Sequence, residues 1–482
     1  MSLINLQVMM NMKDIFKYAI LLLASGGGLC LHSCEDTYPS AADSAYPVDL
    51  TAIRIVNAGA DGQTVLEGAI DEDNKIVNFK RIDPATDFSG LRFEATLSEG
   101  AVLEKDVLDF SMQEGESEKT LILRVRNQNR YKDYFVRVRQ KVPVFGADWD
   151  KATVYNFSGD HIYEECLTAS TRWADCDGEY VLVVSRVGGL NPHLLRVADL
   201  MQGKIEPVAL STDVISGGTF PISCGALING HVYINSLCGG GISPLKVYYW
   251  DTPESTPEVI LENILSTDVP EADARHGDNA SYNIDKKGNG YIHFGSNADG
   301  RDILRYTVTD HKTIGFPQVL PSRVGAQGYM TINRIEDGDE YLWSGVYMAP
   351  ALTNASASIV YDIKTLNGTE FTACRAFSFN GERYLLACSA ARSNKVTPTM
   401  FLYDITRGDT VADALAIFEA GERKPVYQFV LGGTNNANPG TSVNYSIQKD
   451  EEGKDMILRV FAHRTQSGFV IVDFPIKVAS DD

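Results

Sequence analysis

The chain is short of positive charge. Against 63 Asp and Glu it has 43 Lys and Arg, a formal charge of −20, and no basic run offsets that balance. Nucleic acid is therefore excluded as a partner, and so is simple attraction to an anionic membrane surface. Metal-ligand spacings are missing as well. The 8 cysteines make no CxxC pair and no Cys/His cluster, which argues against a structural zinc site. There is no GxSxG elbow, no HExxH, no phosphate loop and no GxGxxG opening a helix. Asp71-Glu72-Asp73-Asn74-Lys75 has the acidity of a calcium loop, but a lysine at a ligand position and no glycine at the sixth make it a solvated turn. No cofactor is implied. The apolar run from Tyr18 to Leu31 is too short to cross a bilayer, and the repeated units beyond Pro143 show no helical periodicity.

What that short apolar run does fit is a leader. It follows Lys13 and Lys17 and closes on Leu31-His32-Ser33-Cys34, the ending of a bacterial lipoprotein signal peptide. Residues 1–33 are expected to be removed, with Met12 the natural start, and Cys34 to become the lipidated first residue. Each buried acyl methylene contributes about 0.8 kcal/mol, enough for stable anchoring when more than one chain is attached. Residues 34–49 are rich in Pro, Ser, Ala and Asp and read as a flexible linker.

From 50 to 142 apolar residues fall on alternate positions: Ile53 and Ile55, Leu91 and Phe93, Leu121, Leu123 and Val125, then Tyr134, Val136 and Val138. Period two means strands with one buried face. About seven short strands fit, the size of an immunoglobulin-like β-sandwich.

From 143 to 482 a unit repeats. Turn signals stand at Asp177-Gly178, Asn229-Gly230, Gly288-Asn289-Gly290, Asp337-Gly338, Asn380-Gly381 and Glu452-Gly453, each followed by an apolar strand. A polar loop and a further strand carrying an aspartate follow, as in Tyr249-Trp250-Asp251 and Tyr403-Asp404. A lone blade cannot bury both of its faces, so six such copies predict an all-β fold ending in a six-bladed β-propeller. The long stretch between Asp404 and Tyr445 leaves room for a seventh. Val154-Tyr155-Asn156-Phe157 resembles Val426-Tyr427-Gln428-Phe429, so the N-terminal strand is expected to complete the last blade and leave no long edge exposed.

Six thiols remain after the leader and Cys34: Cys166 with Cys176, Cys224 with Cys238, and Cys374 with Cys388. The last two pairs flank Asn-Gly turns and could bridge if the hairpin registers allow. Buried free thiols are the alternative.

In a propeller, the loops between second and third strands and those leading into the innermost strand open on one face. The first set carries Arg186, Arg301, Arg392 and Arg464, with His193, Asn297 and Tyr347. The second adds His276 and Tyr329, together with Asp278, Asn436 and Asn438. Guanidinium groups hold carboxylate or sulfate by paired hydrogen bonds, and aromatic faces stack on sugar rings, so these residues suit a glycan that carries acid groups. The competing reading has each arginine tied to a neighbouring aspartate. No catalytic residue is assigned. His193, His276 and His463 could act as a base in a lyase, but lone loop histidines serve more often as structure.

Taken together, the lipoprotein ending, the acidic Glu35-Asp36 pair beside it, the Ig-like module and the propeller resemble surface lipoproteins of gut Bacteroidetes encoded beside glycan-uptake systems. The resemblance implies an outer-membrane, lipid-anchored, surface-exposed protein. Such a protein would bind a glycan without catalysis at one face of the propeller, in company with an outer-membrane transporter. A propeller polysaccharide lyase or glycoside hydrolase is the first alternative, and a protein-interaction scaffold in the outer membrane the second.

Overall fold

A computed structural model describes residues 45–113, 116–142, 144–186, 192–239, 242–296, 302–321, 329–346, 348–364, 371–389, 397–434 and 436–478. Cys34, Asn297, Arg301, Tyr347 and Arg392 lie outside the described residues. Two compact units divide between residues 142 and 143. Among the described residues no helix is long and apolar enough to cross a membrane.

The alternation in the first unit buries Ile53, Ile55, Leu91, Phe93, Leu123, Val125, Tyr134, Val136 and Val138. Its strands hydrogen-bond as one continuous eight-stranded sheet, which curls into a half barrel over a single core. Ile76–Phe79 runs parallel to Arg130–Arg139, the other pairs being antiparallel. Period two predicts the buried face of each strand. It carries no information on which strand comes next in the sheet.

The second unit is a ring of six four-stranded antiparallel sheets. The innermost strands are Thr171–Cys176, Phe220–Ile228, His276–Ile284, Met330–Arg334, Phe371–Phe379 and Thr441–Lys449, heading blades 1 to 6 in that order. Asn229 and Gly230 have φ of 51° and 84°, and Asn380 and Gly381 have 45° and 78°. Those values fit the two-residue turn that suits twisted hairpins. Thr153–Ser158 pairs with Gly468–Pro475 as the outer strand of blade 6, so the ring closes through both ends of the unit.

The stretch after Asp404 holds a helix, Val411–Ala420, not a seventh blade, and Tyr427–Val430 then completes blade 5. Thr410 caps the helix by accepting from the Asp413 amide, and Asp413 returns a bond to the Thr410 amide. Ala414, Leu415 and Phe418 bury its inner face.

The six thiols are free and buried. Cys374 stands opposite Ala387 and Cys388 opposite Ala373, while Cys224 stands opposite Asn235. The hairpin registers thus place the cysteines off one another, and the bridging option does not arise.

Polar groups stitch the inner strands in a closed belt. Asp175 Oδ2 accepts from Leu227 N at 3.0 Å, Cys224 Sγ from Ala280 N at 3.3 Å and Ser281 Oγ from Ile332 N at 2.8 Å. Asn333 Nδ2 donates to Cys374 O at 2.9 Å and Arg375 Nε to Val443 O at 2.8 Å. Asn444 Nδ2 returns to Asp175 Oδ1 at 3.0 Å, completing the circle. These bonds satisfy groups that the tight inner ring would otherwise bury unpaired. The channel they surround keeps a space of only about 30 Å³ between Trp173, Asp175, Tyr282, Thr331 and Arg375.

Candidate functional site at the channel mouth

Four of the six inner strands do not enter the ring as regular strands. Register breaks fall between Thr171 and Trp173, Phe220 and Cys224, His276 and Ala280, and Phe371 and Ala373, all at the leading end of the strand. Bulges re-aim side chains and recur beside binding sites. Here they carry Arg172, Ser223 and Asp278 to one mouth of the channel.

Arg186 Nη2 donates to Ser223 Oγ at 2.8 Å and pairs with Asp278, a carboxylate only 3% exposed. Its guanidinium lies over the Phe220 ring at 4.5 Å. Arg275 Nη2 approaches the other Asp278 oxygen at 4.0 Å. Arg172, 3% exposed, donates from Nη1 to the Asn438 carbonyl. The Tyr329 hydroxyl donates to Asn438 Oδ1 at 2.6 Å. Asn438 precedes blade 6 and Tyr329 precedes blade 4, so this chain of contacts crosses the mouth. Burial pushes Arg172 down to about 10, and the charge of Arg186 adds to it.

His463 sits beside this cluster, fully buried, with neither ring nitrogen bonded among the described residues. Burial, with Arg172 and Arg464 adding repulsion, holds it down to about 3, so the ring is neutral at pH 7. Arg464 is buried too and donates from Nη1 to Ser467 Oγ at 3.4 Å.

Of the residues expected from the sequence, the structure brings Arg186, Tyr329 and Arg464 to this end of the ring. His193 is buried on the third strand of blade 1, its Nε2 3.1 Å from the Tyr163 hydroxyl. His276 is enclosed, with Nε2 3.2 Å from Asp302 Oδ1. Asp302 Oδ2 accepts from Asp273 N at 2.7 Å. Burial and the neighbouring Asp302 push the Asp273 carboxyl up, while His276 holds Asp302 down against its own burial. Arg172 is a site residue that sequence reading missed. The available signal was a charged side chain beside Trp173 inside an otherwise buried inner strand.

Below the mouth, within the belt, Asp175 is buried. Burial pushes it up to about 6, Arg375 and its hydrogen bonds pulling the other way. No group of three or more His, Cys, Asp or Glu among the described residues is placed to hold a metal ion.

The chain is similar to a crystallised DUF4623 family protein from Bacteroides eggerthii DSM 20697, at 50% identity and a TM-score of 0.76, covering 90% of this chain and 100% of that one. A putative oxidoreductase (glucose dehydrogenase) from Thermus thermophilus aligns at 12% identity and a TM-score of 0.36, over 67% of this chain and 99% of that one. The computationally designed Ika8 protein aligns at 11% and 0.33, over 79% and 94%. Likeness at those two levels carries no functional argument. No curated protein matches the chain. The model of a domain of unknown function, DUF4623, matches residues 36–477, and the chain belongs to that family.

Proposed function

We propose that this protein is a lipid-anchored surface protein that captures a glycan at the propeller mouth without cleaving it, as an accessory to polysaccharide uptake through an outer-membrane transporter. The observation that carries this reading is the contrast between the mouth of the channel and the belt beneath it. The mouth gathers Arg172, Arg186, Tyr329, Asn438 and His463, groups that donate and accept hydrogen bonds beside an aromatic ring. Below it the polar groups are spent on one another in the belt. Sugar sites use such a mixture, and propellers place it at this face. The anchor rests on the Leu31-His32-Ser33-Cys34 ending.

The enzymatic alternative has less behind it. Asp273 and Asp302 are hydrogen-bonded to one another, whereas a glycosidase pair stands about 5–9.5 Å apart across the scissile bond. Of the three histidines a lyase could use as a base, His193 is held by the Tyr163 hydroxyl, His276 is enclosed against Asp302, and His463 is buried and held down to about 3, which makes it a weak base.

Affinity electrophoresis of the purified chain against panels of neutral and acidic polysaccharides tests the reading. Retardation by at least one glycan, with no new reducing ends or unsaturated products, is expected. Product formation would turn the assignment to an enzyme. Absence of any glycan binding, with an envelope protein co-purifying, would turn it to a scaffold. For the anchor, labelled palmitate should enter the wild-type chain and not Cys34→Ala, and protease added to whole cells should remove the wild type.

A further inference from the structure

We propose that the mouth contains an oxyanion subsite built on Arg172, which holds a carboxylate or sulfate group on the Nε/Nη2 edge of its guanidinium. The proposal deepens, and rests on, the reading that the ligand sits at the mouth.

Elsewhere in the chain this edge is how arginine holds acid. Arg124 donates from Nε and Nη2 to the two oxygens of Asp133 at 2.7 and 2.9 Å. Arg459 does the same with Asp473 at 2.8 and 2.7 Å. Two parallel bonds of this kind match the geometry of a carboxylate or of two sulfate oxygens. At Arg172 only Nη1 is engaged, by the Asn438 carbonyl. Nε and Nη2 are buried, and neither has a partner among the described residues. A buried charged donor left unpaired is costly, and an anionic acceptor is the group that best relieves it.

The charge around Arg172 points the same way. The charge of Asp278 reaches Arg172, and that carboxylate is already bonded by Arg186 and approached by Arg275. Among the described residues, the guanidinium groups of Arg172, Arg186 and Arg275 thus gather around Asp278, in a chain whose overall charge is −20. Asn438 fixes Arg172 from the Nη1 side and is itself held by the Tyr329 hydroxyl, so the fork is positioned before any ligand arrives. His463, uncharged and close by, adds two ring nitrogens that have no partner among the described residues.

Calorimetric titration of the full chain, at fixed ionic strength with chloride as the reference, tests this. The probes are sodium sulfate, sodium galacturonate, an oligogalacturonide and a neutral oligosaccharide. Binding of at least one anionic probe is expected. Arg172→Lys, which keeps the charge and loses the fork, should weaken it about tenfold or more, with Arg172→Gln weaker still. Preference for the oligogalacturonide over free sulfate identifies a sugar-borne group, and the reverse a free oxyanion. Should Arg172→Gln fail to fold, Arg172→Lys and movement of the Arg172 Nε–H resonance in the wild type decide the matter. Indifference of the wild type to every anionic probe, or equal affinity in Arg172→Lys, overturns the proposal. Binding of the neutral oligosaccharide alone would overturn it while leaving glycan capture standing. Sulfate held by Arg172 with no sugar bound would do the opposite.

Discussion

Arg459 and Asp473 face each other on the second and third strands of blade 6, with Nε and Nη2 bonded to the two carboxylate oxygens at 2.8 and 2.7 Å. Both side chains are almost fully buried, at 6% and 10% exposure. Arg459 Nη1 also donates to the Gly178 carbonyl at 2.9 Å, in the first hairpin turn of blade 1. One ion pair therefore fastens the last blade to the first. Removing one partner leaves a buried charge uncompensated, so Arg459→Ala or Asp473→Ala should each cost about 3–5 kcal/mol. The double replacement Arg459→Met with Asp473→Leu should cost much less than the sum of the single changes. Urea denaturation of the four proteins measures this, and additive losses would show that packing, not charge, holds the junction.

Gly277 stands in the bulge that brings Asp278 to Arg186. Its φ is +102°, and a Cβ there would lie 2.1 Å from the Ser236 carbonyl oxygen. Gly277→Ala must therefore shift backbone against backbone. A loss of about 1–3 kcal/mol is expected in thermal denaturation, together with weaker ligand binding, because Asp278 can no longer hold Arg186. Gly230, also at positive φ, has nothing within 4 Å of its added Cβ. Gly230→Ala should then cost stability alone and leave binding intact.

Much of this architecture was legible because the relevant signals are local. Asn229-Gly230 and Asn380-Gly381 require positive φ at both residues, and the structure has it. The likeness of Val154–Phe157 to Val426–Phe429 anticipates the closing strand, since both are outer strands of a blade. The helix Val411–Ala420 is masked by the strand repeats on both sides of it, although Thr410 and Asp413 spell a capping box. Arg172 could not be placed, for a different reason. A bulge after Thr171 interrupts the in-and-out alternation, and register breaks are set by tertiary packing, not by the strand's own pattern. The cysteine offsets were legible by counting outward from the two-residue turns, Cys224 falling opposite Asn235 and Cys374 opposite Ala387. Asn-Gly fixes the turn, and Cys224 and Cys238 are not equidistant from Asn229-Gly230.

Acid should loosen the propeller before its carboxylates matter. His293 is enclosed and held down to about 3 by burial, with Arg305 adding repulsion, and His463 behaves likewise. Below the ordinary value of about 6.5 the unfolded chain binds protons that the folded chain refuses. Stability is thus full above about 6.5 and falls by up to about 1.4 kcal/mol per pH unit per histidine down to the folded values. Asp175 opposes this only lower down: held up to about 6, it adds stability as pH falls from about 6 toward its ordinary value of 3.8. His293→Gln can still accept from Asn283 Nδ2, which lies 3.2 Å from the His293 Nδ1. It should reduce the loss between about pH 7 and pH 5 by about 2 kcal/mol. Urea midpoints at the two pH values provide the check, and an unchanged difference would mean that His293 is solvated in the native state.

The ring is held shut below by the segment that leads into its closing strand. Gly146 N donates to Asn380 O at 2.9 Å, Gly146 O accepts from Lys477 N at 3.0 Å, and Ala147 N donates to the Tyr384 hydroxyl at 3.2 Å. Trp149 then packs edge-on against Tyr384 at 5.1 Å and Phe474 at 4.8 Å. It thus contacts the second strand of blade 5 and the third strand of blade 6. Without this wedge, the pairing of Thr153–Ser158 with Gly468–Pro475 must hold the ring on its own, and fraying there exposes a long strand edge of the kind that nucleates association. Trp149→Ala should cost about 3 kcal/mol and, unlike Gly277→Ala, should produce oligomers on sedimentation at temperatures below the main unfolding transition. Trp149→Phe, which keeps an aromatic contact to both rings, should recover most of the loss and remain monomeric. Equal behaviour of the two variants would place the closure in the backbone bonds of Gly146 and Ala147 instead.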